Sequence, residues 1–74
     1  MNLQSAMQIA QNFIVYNYPN ADIGSFEPLK GEFKKDESIW IIICSFNKRG
    51  LGKKARIVID DKSYEVASYE VIEK

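Results

Sequence analysis

The sequence predicts an α+β fold: one N-terminal helix packed on a three- to four-stranded antiparallel meander sheet, in a single domain spanning residues 1–74. Three observations carry that expectation. Apolar side chains recur at spacings of three and four through the first eighteen residues. Beyond Pro19 the pattern changes to runs rich in β-branched and aromatic types. The polar connections between those runs are short, and short connections between strands make antiparallel hairpins.

The helix is expected over residues 2–18. Leu3, Ala6, Met7, Ala10, Phe13, Ile14 and Asn17 fall on one helical face. Ile9 and Tyr16 lie beside that stripe and would widen it or cover the margin of the sheet. Asn2 can cap the first turn by accepting from a free backbone N–H. Pro19 disfavours helical geometry at Tyr18 and ends the helix there. "YPNADIGS" then reads as a connecting loop, with Pro19, Asn20, Asp22 and Gly24 as its turn residues.

Residues 25–34 read as a first strand. Pro28 removes a ladder donor, which places that strand at an edge or gives it a bulge. "KKDE" is a polar turn. Residues 38–46, SIWIIICSF, form the strongest strand. The basic stretch 47–54 reads as a loop, residues 55–61 as a third strand and "DDKS" as a tight turn. A fourth strand spans residues 63–73, with a bulge at Ala67-Ser68 where its apolar pattern changes parity.

The strand at 38–46 is apolar on both sides. Trp40, Ile42, Cys44 and Phe46 point one way; Ile39, Ile41 and Ile43 point the other. The third strand repeats the trait, with Val58 opposed to Ile57 and Ile59. A half-solvated antiparallel strand would alternate apolar with polar. One helix covers one face, so the second must be hidden by strong curl and long side chains, or by another molecule. Exposing such side chains forfeits about 1.5–3 kcal/mol each, and apolar patches of this kind mark interfaces. Ile39, Ile41, Ile43 and Val58 are therefore the candidate interface, with a second copy or another protein as partner.

"NKRGLGKKAR" holds five of the ten positive charges, Lys48, Arg49, Lys53, Lys54 and Arg56. The remaining five face all ten acids, so a local excess of +5 sits on a body of −5 within a neutral chain. These five are the candidate anion- or partner-binding residues, with nucleic acid or another polyanion as the second functional reading. The stretch departs from the phosphate loop of nucleotide-binding enzymes. No Ser or Thr follows Lys53-Lys54, and a strand follows instead of a helix. Aromatic residues that could stack on bases are not interleaved with the charges. Lysines in a hairpin loop also serve solubility and discourage edge pairing.

Little here points to catalysis. The chain has no histidine, the usual acid–base group near neutral pH and the commonest transition-metal ligand. Cys44 lies within the most apolar strand, without a neighbouring base or cation to ionise it. Asp60 and Asp61 are adjacent and point to opposite faces, and Asp60 suits the turn beside it. No enzyme activity and no cofactor are expected. One cysteine allows no internal disulfide and fits a reducing compartment. The first residues lack an early Lys or Arg and an unbroken apolar run, so neither a secretory signal nor a membrane span is expected, and a cytoplasmic place follows.

The helix with Ala6 and Ala10, the strand bearing Trp40, and "ARIVIDDKSYEV", with Ala55, Ile57, Ile59 and Asp60, resemble PepSY-type domains and the wider cystatin-like folds. The resemblance implies an antiparallel sheet wrapped on one helix, and binding or inhibition rather than catalysis. The family's usual turn glycine after the Asp is replaced by Asp61-Lys62-Ser63, and the family's export signal is not expected here. Taken together, these readings favour a small non-catalytic binding or interaction domain, with a second copy or another protein as the candidate partner of its second sheet face.

Overall fold

The structure, a computed structural model, describes residues 1–72. It consists of a helix α1 (Leu3–Asn17) followed by strands β1 (Ala21–Lys34), β2 (Ile39–Lys48), β3 (Leu51–Asp60) and β4 (Val66–Ile72). The strands form one antiparallel sheet in the order β1-β2-β3-β4. The α+β meander expected from the sequence is the fold observed.

The local signals at both helix ends act as their chemistry dictates. Asn2 Oδ1 accepts from the Ser5 backbone N–H at 2.9 Å, and Ser5 Oγ accepts from the Asn2 N–H at 3.0 Å. This reciprocal box satisfies two donors that the first turn leaves open. At the other end Tyr18, forced out of helical geometry by Pro19, donates its N–H to Ile14 O. The buried stripe is narrower than the periodicity suggests: Ala6, Ala10 and Ile14 are fully buried, whereas Leu3 and Asn17 are exposed. Two alanines at successive turns let the helix backbone lie close on the sheet. Ile9 packs against the core as a widening residue, but Tyr16 stands 85% exposed and covers no margin.

β1 corrects the expected loop. The strand begins at Ala21, so the connection shrinks to Tyr18–Asn20, closed by the Ala21 N–H donating to Tyr18 O. Its ladder is irregular between Asp22 and Glu27 and again between Pro28 and Lys30. Proline cannot donate to a ladder, and β1 is accordingly an edge strand. Gly31 of the same strand faces the start of α1. A Cβ there would collide with Leu3 Cδ1 and crowd Ile42 Cδ1, so its absence lets the start of α1 seat on the strand.

The β2–β3 connection is a second correction: residues 47–54 are not a loop. Lys48 pairs with Leu51 across a two-residue turn, Arg49-Gly50, both with positive φ (54° and 80°). That is the type I′ geometry whose twist suits a hairpin. The third connection matches expectation. Asp60 Oδ1 accepts from the backbone N–H groups of Lys62 and Ser63, and the Tyr64 N–H donates to Asp60 O. β4 starts later than expected, at Val66, and Glu73 of the expected strand lies outside the described residues. Val58 pairs with Ser68 and Ile59 with Val66, so Ala67 is the bulge. The bulge brings Val66, Tyr69 and Val71 to the same side of the sheet.

The core lies between α1 and that side. Ile42, Cys44, Phe46, Ala55, Ile57 and Ile59 meet Ala6, Ala10 and Ile14. Aromatic pairs close its flanks: Phe13 with Tyr69, Tyr18 with Phe46, and Phe33 with Trp40.

Candidate functional site

The opposite face of the sheet has no helix upon it. α1 is the one helix among the described residues, and it packs on the other side. Strand alternation sets Ile39, Ile41 and Ile43 of β2 on this open face, with Val58 beside Ile41. The four residues singled out from the sequence as an interface are thus contiguous. Val58 is buried by its neighbours at 8% exposure; the three isoleucines are partly covered.

The cover comes from charged side chains in cross-strand register. Lys30 and Arg56 flank Ile43, and Glu70 stands next to Arg56. Glu32 lies opposite Ile41, and Lys34 and Asp60 lie on either side of Ile39. Beyond this apolar strip, Glu27 and Lys54 flank Ser45. Lys34 and Glu32 form an ion pair at 3.5 Å, both half-exposed, which contributes little by itself. A shallow depression of about 250 Å³ lies over Ile41 and Ile43, rimmed by Lys30, Glu32, Lys34 and Arg56. Lysine stems can screen apolar surface while their ammonium groups stay hydrated. Curl and long side chains therefore account for part of the cover, and a residual apolar strip remains.

The five basic residues do not form one cluster: Lys53 and Lys54 share a depression that Glu27 also lines, and the others lie elsewhere. Lys54 and Arg56 project from the open face, where Glu27 and Glu70 stand near them in register. Lys48 and Lys53 have the parity of Phe46 and Ala55 and project from the helix side. Lys48 Nζ lies 5.2 Å from the centre of the Tyr18 ring, within range of a cation–π contact. Arg49 occupies the turn. The charges are adjacent in sequence because a hairpin folds there; alternation then divides them between two surfaces.

Two groups matter to any chemistry. The Cys44 thiol is fully buried, and desolvation pushes its pKa up to about 11, so the nucleophilic thiolate is suppressed. Tyr18 is also raised, by burial first and then by its neighbour Tyr69. Asp61 has a partner that sequence reasoning missed: Trp40 Nε1 donates to Asp61 Oδ1 at 2.8 Å. The only sequence signal for it was an acid in the turn that closes beside the tryptophan strand. No group of three or more His, Cys, Asp or Glu side chains converges among the described residues. Among the same residues no helix is long and apolar enough to cross a membrane. Comparison with protein-family models, curated proteins and solved structures finds no match for this chain.

Proposed function

We propose that this is a non-catalytic interaction domain that self-associates through its open sheet face. The single observation behind the reading is the composition of that face: an apolar strip, Ile39, Ile41, Ile43 and Val58, inside a rim that carries both signs of charge. An apolar centre with a polar rim is the anatomy of protein interfaces. A two-fold contact requires a surface complementary to itself. Lys30, Lys34, Lys54 and Arg56 against Glu27, Glu32, Asp60 and Glu70 supply equal numbers of each sign for such a contact. The resemblance to cystatin-like folds points the same way, towards binding rather than catalysis.

Size limits the strength. Four strands at about 4.8 Å spacing give a face about 15–20 Å across, which puts the buried area at the low end of the specific range, about 1,200 Å² in total. A contact of that size is weak and transient. A polyanion would meet Lys54 and Arg56 beside Glu27 and Glu70, with Lys48 and Lys53 on the opposite surface. The mixed face supports a protein contact better.

Sedimentation from about 1 to 500 μM tests this reading. The wild type should pass from monomer to dimer. Ile43→Glu should stay monomeric yet folded, because the new carboxylate would sit between Lys30 and Arg56 in each monomer and oppose burial in a dimer. A monomeric wild type at the highest concentration, or a dimeric Ile43→Glu variant, would refute it. A duplex or single-stranded oligonucleotide added at low salt should not alter the profile; co-sedimentation would favour the polyanion reading instead.

A further inference from the structure

On the other side of the molecule an open groove of about 460 Å³ runs between the C-terminal half of α1 and the β3–β4 turn. Ile9, Phe13 and Val66 line it with Tyr16 and Tyr64, and the two tyrosines are 85% and 57% exposed. Three features of this groove have no explanation in the packing of the domain.

Tyr64 has φ 62°. The left-handed region favours glycine or asparagine, and holding a bulky side chain there costs about 1 kcal/mol. The ring is not buried in return. The positive φ belongs to the turn, where the Tyr64 N–H donates to Asp60 O and the Asp60 N–H to Glu65 O; what the packing leaves unexplained is a large aromatic side chain exposed at that position. The exposed surface of α1 is the second feature. Residues 1–21 contain no charged side chain, although the chain as a whole is 27% charged. Of the helix's exposed residues, Asn12, Tyr16 and Asn17 line the groove. Depletion of charge with aromatic enrichment is the mark of a contact surface. The third feature is electrostatic. Glu65 is the one charged residue lining the groove, and it forms no ion pair among the described residues.

We infer that this groove binds an extended peptide segment in which an arginine lies between apolar residues, the guanidinium packing on Tyr16 and Tyr64 and pairing with Glu65. Each part of that ligand answers a feature of the groove. A guanidinium is planar, weakly hydrated and stacks on aromatic faces. It also pairs with a carboxylate through two parallel hydrogen bonds. Apolar neighbours occupy the Ile9, Phe13 and Val66 floor. The Asn12 amide, whose oxygen already accepts from Gln8, keeps N–H groups free for a peptide carbonyl. The site is separate from the open sheet face, so either can fail without the other.

The test is titration of the intact chain with acetylated and amidated Pro-Leu-Arg-Pro-Leu, and with the same peptide carrying Gln or Glu at its centre. The arginyl peptide should shift the amide resonances of Ile9, Asn12, Phe13, Tyr16 and Tyr64. It should bind at least fivefold more tightly than the Gln peptide and more tightly still than the Glu peptide. Tyr64→Gly relieves the turn, so the fold is retained, and it should weaken binding at least tenfold. Glu65→Gln should erase the preference for arginine. Absence of shifts at 5 mM, equal affinity for the three peptides, shifts confined to Ile41 and Ile43, or unchanged affinity in Tyr64→Gly would each overturn the inference.

Discussion

Cys44 sits on β2 opposite Ala55, with no exposed surface and apolar neighbours on each side. Its thiol titrates near 9 when free and near 11 in the fold, because burial opposes the thiolate. Between those values the folded chain keeps a proton that the unfolded chain has lost. Stability is therefore fully present below pH 9 and falls as pH rises towards 11, by on the order of 1–3 kcal/mol. Tyr18, raised in the same direction, adds to the decline at higher pH. Urea unfolding at pH 8, 9.5 and 11 should show this fall, and Cys44→Ala should flatten the part between 9 and 11; a wild type with pH-independent stability would contradict it. The inert, packed role of Cys44 was legible in the sequence because its strand neighbours are apolar. The turn role of Asp60 was legible too, since an Asx turn uses only local backbone groups. The Trp40–Asp61 bond was not. Its partners are twenty-one positions apart, and only the pairing of Ile39 with Asp60 brings them together.

At the scale of elements the residues that misled are those with weak local preferences. Lysine, arginine and glycine are poor strand formers, so residues 47–54 read as a loop. In the fold the pairing of β2 with β3 extends through Lys54, Lys53 and Gly52 up to Lys48 and Leu51. Ladder hydrogen bonds and a two-residue turn outweigh local propensity there. The same applies to Ala21–Gly24, where turn-type residues join β1. Pro28 and the parity change at Ala67 were read correctly because each makes a definite demand on the ladder. The Arg49-Gly50 turn gives a direct test. Arginine at φ 54° is strained where asparagine is tolerated. Arg49→Asn should raise stability by about 0.5–1 kcal/mol, and Gly50→Ala, at φ 80°, should lower it by about 1 kcal/mol. Urea midpoints should move in those opposite directions with the slope unchanged. A null result for both would mean that the turn is not the two-residue hairpin described.

At the scale of the whole molecule the deciding quantity is how much apolar surface one helix can cover. A chain of this length buries only about 60–65% of its unfolded surface, so its stability is modest and sensitive to anything that binds the folded form. The open face couples that stability to concentration. If a second copy covers Ile41 and Ile43 with a dissociation constant of about 50 μM, raising the protein from 5 to 500 μM favours the folded protomer by about 1 kcal/mol through mass action. For a domain of this size 1 kcal/mol corresponds to about 4–8 °C in melting temperature. Calorimetry over that range should therefore show the wild-type midpoint rising by about 5 °C. Ile43→Glu, unable to bury its charge, should melt at one temperature throughout. Tyr64→Gly should melt higher than wild type at every concentration and keep the concentration dependence, because it replaces no residue of the open face. A wild-type midpoint independent of concentration would mean that Lys30, Lys34 and Arg56 complete the cover within one chain, and that the apolar strip needs no partner.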